Sequence, residues 1–330
     1  MEFAPVRWGV LSTADIGLKK VIPAMLVSNL SRVDAIASRS SGTAREAAAQ
    51  LGLEKAYGSY EDLLADPEIE AVYIPLPNHL HREWTIKAAE AGKHVLCEKP
   101  LAISSADARE MVAACEGSGV QLMEAFMYRL HPMWRKAVQL IEDGAIGEVR
   151  AVQIVFSYFN DDPSNIRNIP EFGGGALFDI GCYAVSVARM IFASEPTTIK
   201  ASIERDQRFG TDVLASVLLD FAGRHASFVC STLLEENQRV EIYGSDGRIL
   251  VEIPFNIPPD RPTRVLQLSG GEPPVAPGMV VHELAPANSY TVQADVFSRS
   301  VRTGIPVPIA PHDSVAGIEV IEQIFASARV

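Results

Sequence analysis

The chain has no CxxC pair: Cys97, Cys115, Cys182 and Cys230 stand far apart, so neither a disulfide framework nor a zinc ribbon is signalled. It also lacks any run of lysine or arginine. With 29 basic against 41 acidic residues the formal net charge is −12, which argues against a phosphate backbone or an anionic membrane surface as partner. The N-terminal MEFAPVRWGVLS shows no apolar signal core and no twin arginine, and no later stretch reads as the ~20 apolar residues of a membrane span. Internal repeats and low-complexity tracts are missing too. These absences predict a globular protein of the reducing cytoplasm.

What is present is an alternation of strands and helices. A length of 330 residues exceeds what one core usually supports, so two domains are expected, and 48% apolar residues can fill both. VRWGVLS, RVDAIASR, AVYIPL, HVLCEKP and VQLMEAF read as strands. DIGLKKVIPAMLVS, SGTAREAAAQLG, HREWTIKAAEAG and SADAREMVAACEGSG read as helices between them, the rhythm of an α/β doubly wound parallel (Rossmann) sheet. Residues 1–123 are therefore expected to form a dinucleotide-binding domain.

Residues 124–330 read differently. After the helix HPMWRKAVQLIEDG come strand-like VRAVQIVFSYF, TTIKASIER, DVLASVLLDF, HASFVCSTL, QRVEIYGS, GRILVEIP and TRVLQLSG, several with period-two alternation. This predicts an α+β domain on an antiparallel or mixed sheet, closed by the amphipathic helix HDSVAGIEVIEQIFASAR with His312 or Asp313 as N-cap. Pro-rich stretches at 254–263 and 273–277 read as loops.

The nucleotide turn lies first along the chain. In GVLSTADIG the third fingerprint glycine, Gly17, survives, while Ser12 and Ala14 stand where the first two glycines belong. Small residues there still let Ser12, Thr13, Ala14, Asp15 and Ile16 approach a pyrophosphate, although a plain tight turn would read the same. At the end of the second strand an NAD site usually has an acid for the ribose. This chain has Ser38, Arg39 and Ser40, a guanidinium and two hydroxyls suited to a 2′-phosphate, which predicts NADP over NAD. A solvated arginine is the plainer alternative. In Ile74-Pro75-Leu76-Pro77-Asn78-His79-Leu80-His81 a Pro-rich turn crosses the carboxyl edge of the sheet. Pro75, Leu76, Asn78 and His81 are candidates to line the nicotinamide ribose, with turn and helix capping the rival role for Asn78 and His81. No cysteine or carboxylate cluster completes a metal set around His79 and His81.

Just past the fourth strand of this half, VLCEKPLA places Glu98, Lys99 and Pro100 where such a sheet opens onto a ligand, with Glu98 expected near the nicotinamide. Far downstream, GGGALFDIGCYAV spaces Asp179 and Tyr183 at i, i+4, one face of a helix. Taken singly, each of these is more often a loop charge, a surface acid or a core-edge aromatic.

As an ordered set, the nucleotide turn, PNHLH, Glu98-Lys99-Pro100, EAFMYRLHP, EFGGGALFDIGCY and the closing amphipathic helix resemble the Gfo/Idh/MocA family (glucose-fructose oxidoreductase, inositol dehydrogenase and MocA) over nearly the whole length. The match is most similar to the branch of NADP-dependent aldose 1-dehydrogenases and dimeric dihydrodiol dehydrogenases. The resemblance implies a substrate-binding and oligomerisation domain with an open, mostly antiparallel sheet whose exposed face makes the subunit interface of a homodimer or higher homo-oligomer, and a substrate site lined by Lys99, Asp179 and Tyr183. Tyr128, Arg129 and His131 in MYRLHP, and Arg167 in SNIRNIPEFGGG, join it as candidates for gripping sugar hydroxyls, with packing or loop anchoring as their alternatives.

The chemistry agrees. Oxidising a hydroxyl needs a base, and tyrosine with a pKa ~10 is a poor one near neutrality. Moving it to ~7 takes about 4 kcal/mol, roughly what an ammonium ~4 Å away supplies at an effective dielectric of ~20. Lys99 matches that partner for Tyr183, Asp179 orients the lysine or bonds the sugar, and a rival assignment makes Lys99 the proton shuttle. The resulting expectation is oxidation of an aldose at C1 to its lactone, with trans-dihydrodiol oxidation or keto-sugar (anhydrofructose-type) reduction as the alternative. A non-catalytic NADP or sugar sensor is the reading from another class.

Overall fold

The computed structural model describes residues 4–269 and 278–328, so the Pro-rich stretch at 273–277 lies outside the described residues. The first strands and helices follow in chain order. They are β1 (Val6–Leu11), α1 (Ile22–Leu26), β2 (Ser31–Ala37), α2 (Ser41–Leu51), β3 (Lys55–Tyr57), α3 (Tyr60–Leu64), β4 (Ala71–Ile74), α4 (His81–Glu90), β5 (His94–Cys97), α5 (Ser105–Gly117) and β6 (Leu122–Glu124). Serine caps start α2, α3 and α5: Ser40, Ser59 and Ser104 accept from the N–H groups of Thr43, Asp62 and Asp107.

The six strands pair only in parallel, in the order β3-β2-β1-β4-β5-β6. Helices on both faces bury it, which is why β4 and, after His94, the rest of β5 are runs of Ala, Val, Leu, Ile, Tyr and Cys without alternation. Strand order reverses between β1 and β4, and the crevice outside the carboxyl ends at that point is where such sheets take a ligand. The turns after β1, β2, β4 and β5 all leave that edge.

The second half comprises α6 (Pro132–Glu142), β7 (Val149–Phe159), α7 (Cys182–Phe192), β8 (Thr198–Arg205), β9 (Asp212–Asp220), β10 (His225–Ser231), β11 (Leu233–Gly244), β12 (Arg248–Val251), β13 (Thr263–Leu268) and β14 (Met279–Leu284). Its eight strands run β14-β13-β12-β11-β7-β10-β9-β8, antiparallel except for β7 with β10. Along β9 alternate residues are buried (Val213, Ala215, Val217, Leu219), the pattern of a sheet with one covered face. An open hollow of about 530 Å³ runs over part of the sheet, lined among others by Gln153, Val155, Lys200, Leu218, Ser227 and Val229.

Two helices close the chain, α8 (Ser289–Thr303) and α9 (Pro311–Ser327). By contacts the chain divides into one unit of Met1–Met127 with Ser289–Val315 and another of Tyr128–Asn288 with Ala316–Val330. In the first, α8 packs on α1, β1 and β2, with Phe297 against Trp8 at a ring separation of 5.2 Å and Trp8 Nε1 donating to Ser298 Oγ. The pattern reading anticipated neither α8 nor β14.

Two further details correct the sequence reading. Helix α9 begins at Pro311, so His312 and Asp313 occupy its first turn and do not cap it; proline suits that first position because it has no N–H to leave unpaired. The helical stretch Pro170–Phe192 is long and apolar enough to match a membrane span, with 78% of its most apolar window buried, as in a core helix.

Candidate active site

The turn after β1 is built around Ser12, whose φ of +145° lies in a region that L side chains rarely adopt. Serine thus holds the backbone conformation of the fingerprint glycine it replaces. Its Oγ accepts the Ala14 N–H at 2.9 Å, an internal bond that offsets part of the strain. Thr13, Ala14 and Ile16 are half-buried, Asp15 is exposed and paired with Lys19 at 2.6 Å, and a single π-helical turn, Gly17–Val21, leads into α1.

After β2, Ser38 is buried while Arg39 and Ser40 are exposed. Ser38 Oγ accepts from the Ser40 N–H, and Ser40 Oγ from the Thr43 N–H. In both bonds the hydroxyl is the acceptor, which leaves its proton for an outside anion. The group is therefore a guanidinium, two hydroxyl donors and a helix N-terminus together, matching the chemistry of a 2′-phosphate.

After β4, Pro75 and Leu76 are buried and Asn78 is half-buried in a 3₁₀ turn, Asn78–Leu80. His81 is fully buried; its Nδ1 lies 2.9 Å from the Pro100 carbonyl and its Nε2 2.7 Å from the Leu76 carbonyl. Both ring nitrogens face backbone carbonyls within the fold, so His81 ties the PLPNH turn to the turn after β5, which corrects its expected cofactor contact to a structural role. Its side chain caps neither the 3₁₀ turn nor α4, so the role is to brace two turns. Burial holds its imidazole below the usual range, against the backbone of Leu76, Pro100 and Leu101.

The turn after β5 holds Glu98 and Lys99, both half-buried, and the Lys99–Pro100 bond is cis. Glu98 Oε1 accepts the Tyr73 hydroxyl at 2.6 Å, and Oε2 faces the Lys99 N–H at 3.3 Å. Tyr73 was not anticipated from sequence, where it reads as one more apolar residue of a buried strand.

In the second unit Asp179 sits in a π-helical turn, Leu177–Gly181, directly ahead of α7, which carries Tyr183 in its first turn. Such bulges often mark functional sites. Asp179 Oδ2 accepts the Tyr158 hydroxyl at 2.6 Å and the Arg167 Nε–H at 3.0 Å. The guanidinium is raised above its usual range by Asp179 first, against desolvation, with Tyr158 and Tyr183 adding to it. Arg167 therefore keeps its charge near both phenols. Tyr158, on β7, is a second residue the sequence reading missed; its place on the inward face with Val152, Ile154 and Phe156 was the available signal.

The glycines explain how Arg167 reaches this position. A Cβ on Gly174 would come 2.5 Å from the Arg167 carbonyl oxygen, and one on Gly175, at φ +120°, would strike Asp212 Oδ1. Asp212, buried, accepts the Leu177 N–H at 2.7 Å and so fixes the start of the helical segment. The glycines permit close packing and are no loose connector.

Tyr183 is nearly buried among Tyr128, Phe156 and Phe255, with ring centroids 5.6, 5.5 and 5.0 Å away. Tyr128 is fully buried and donates to Ser186 Oγ at 2.8 Å, which corrects its expected substrate contact to a packing role. His131 caps α6, accepting the Met133 N–H on Nδ1 and facing the Ala287 carbonyl with Nε2 at 3.1 Å, again a structural use. Arg129 is half-buried in the turn Met127–Leu130. Among the described residues no group of three or more His, Cys, Asp or Glu is arranged to hold a metal.

The comparisons with known proteins agree with this architecture. Residues 6–126 match the oxidoreductase family with an NAD-binding Rossmann fold, and residues 134–250 match the GFO/IDH/MocA C-terminal domain. The chain belongs to the GFO/IDH/MocA family and is an oxidoreductase of that type. It is 46% identical over 325 residues to an uncharacterised oxidoreductase of Rhizobium meliloti, spanning 98% of this chain and 97% of that one. It is 38% identical over 326 residues to D-xylose 1-dehydrogenase (NADP(+)) 2 of Haloferax volcanii, spanning 98% of each. Among solved structures, a 3-ketoreductase from Actinomadura kijaniata in complex with NADP and TDP-benzene superposes with a TM-score of 0.90 at 29% identity, covering 98% of both chains.

Proposed function

We propose that the protein is an NADP-dependent oxidoreductase that oxidises an aldose at C1 to its lactone. The observation that carries the reading is the pairing of Asp179 with Arg167 and Tyr158 one turn ahead of Tyr183. An isolated carboxylate would oppose a phenolate nearby, whereas one already bonded to a guanidinium does not. Similarity to an NADP-dependent xylose dehydrogenase supports the substrate class.

Ser12, Thr13, Ala14, Asp15 and Ile16 would hold the pyrophosphate; Ser38, Arg39 and Ser40 the 2′-phosphate; Pro75, Leu76, Asn78 and Glu98 the nicotinamide half. Bound nicotinamide supplies the hydride acceptor. The residues of the chain do the rest: Tyr183 takes the hydroxyl proton, Lys99 orients that hydroxyl and favours the phenolate, and Asp179 and Arg167 bond neighbouring hydroxyls of the sugar. Reduction of a keto-sugar, with Tyr183 giving the proton, is the second reading, favoured by the 3-ketoreductase likeness. The hollow on the second sheet is proposed as a contact surface for a second copy.

The test is absorbance of reduced nicotinamide with a panel of aldoses, polyols, diols and keto-sugars. Oxidation of an aldose with NADP, lost in Lys99→Met and in Tyr183→Phe, is expected. Tight NADPH binding without turnover of any member would favour a sensor instead, and Tyr183→Phe with near-normal turnover would make Lys99 the proton shuttle.

A further inference from the structure

Tyr73 lies in β4, whose four residues are all buried, and its side chain has no exposed surface. Parallel strands covered on both faces favour aliphatic residues, so a phenol there requires a partner for its O–H. That partner is Glu98 Oε1, 2.6 Å away and 25 residues on. The same carboxyl faces the Lys99 N–H through Oε2, and the Glu98 N–H donates to the Ile74 carbonyl at 3.1 Å, so the turn is tied to the end of β4 by backbone as well as side chain.

The ring has a second neighbour. A Cβ on Gly17 would lie 3.8 Å from Tyr73 Cε1 and 3.6 Å from Pro75 Cγ, so Tyr73 packs beneath the segment that follows the nucleotide turn. One side chain thus touches the elements after β1 and after β5. Tyr290, from α8, lies in the same field: its phenol is pushed up to about 12 by burial and by Glu98, with Lys99 opposing. Burial, with Glu98 adding, also holds the Tyr73 phenol far above its ordinary range, so it remains a donor to the carboxylate.

We propose that Tyr73 is a positioning residue: it holds the Glu98 carboxylate, and with it the turn carrying Lys99, in a single orientation toward the nicotinamide half of the cofactor. This rests on the NADP reading above.

The experiment is fluorescence titration of NADPH into wild type, Tyr73→Phe, Glu98→Gln and the double variant, with melting of the cofactor-free proteins alongside. Removing one hydrogen bond to a charged group is expected to raise the NADPH Kd about tenfold in Tyr73→Phe. In the Glu98→Gln background the same change adds only about threefold, because the amide oxygen still accepts the phenol proton but in a neutral bond about half as strong. Glu98→Asp, which withdraws the carboxylate from Tyr73 without losing charge, should reproduce the rise and covers the case of a Tyr73→Phe chain that does not fold. Wild-type NADPH affinity in both Tyr73→Phe and Glu98→Asp, or equal effects in both backgrounds, overturns the proposal. A wild-type protein that binds no NADPH overturns it together with the cofactor reading, a distinguishable result.

Discussion

Arg167 donates its Nε–H to the Asp179 oxygen that already accepts the Tyr158 hydroxyl, so the acid ahead of Tyr183 is bonded from two sides. The local charge beside Tyr183 therefore belongs to a pair and not to a lone carboxylate.

Replacing Arg167 with methionine exposes Tyr183 to an unneutralised Asp179. Stabilisation of the phenolate falls, so in the oxidative direction kcat/KM should climb through a higher pH than in wild type and drop by about tenfold or more near neutrality. A pH–rate profile on the best aldose checks this; an unmoved limb would show that Arg167 has no influence on the base.

Gly175→Ala should be among the most damaging single-methyl changes in the second unit. The new Cβ meets Asp212 Oδ1 at a φ of +120°, combining strain with a broken helix start, and a loss of about 2–4 kcal/mol is expected. Urea denaturation gives the number, and turnover per folded molecule should fall as Asp179 shifts.

At Ser12 two small substitutions are expected to diverge. Glycine relieves the unusual φ but loses the bond to Ala14, whereas alanine keeps the strain and loses the bond as well. Ser12→Ala should melt below wild type by more than Ser12→Gly does, a comparison made by calorimetry.

Arg39→Ala should raise the Kd for NADPH by about tenfold or more while leaving NADH affinity nearly unchanged, since only the former carries the 2′-phosphate. Parallel titrations decide it, and equal losses for both cofactors would place Arg39 on adenine instead.

Acid stability should depend on a charged cluster in the first unit. Burial raises the Asp66 carboxyl, but Lys55, with the Glu68 N–H and Tyr57, outweighs it and brings the group to about 2; Arg7 and Lys55 hold Glu68 at about 2 as well. Both are depressed relative to the unfolded chain, so their stabilisation is complete above about pH 5 and is lost as pH falls from ~4 toward about 2. Melting temperature against pH should decline less steeply there in Lys55→Met, which starts lower.

Much of the first unit was legible because a buried parallel strand and an amphipathic helix each depend on residues close together in the chain. The order of β1, β2, β4 and β5, the turns after them and the segment holding Asp179 and Tyr183 are all visible as local pattern. Short β3, and β14, carry too few alternations to register. Helix α8, SYTVQADVFSRSVRT, went unread although Tyr290, Ala294, Phe297 and Val301 stand at i, i+4, i+7 and i+11; serines and threonines interleave that stripe, and Ser298 finds its partners, Trp8 and Ser31, only on β1 and β2.

Residue type and spacing by themselves determined the two-part α/β plan, the nucleotide turn, the basic group after β2 and the identity of Lys99, Asp179 and Tyr183 as the residues to watch. Tertiary structure alone decided which polar atoms are already spent: the His81 nitrogens on two carbonyls, the Tyr128 hydroxyl on Ser186, the Asp179 oxygen on Arg167 and Tyr158, and the Glu98 oxygen on Tyr73. The reason is reach. Local pattern reports which face of an element is buried, but a hydrogen bond between residues 25 or 58 positions apart depends on where whole strands and helices settle, which no short window contains.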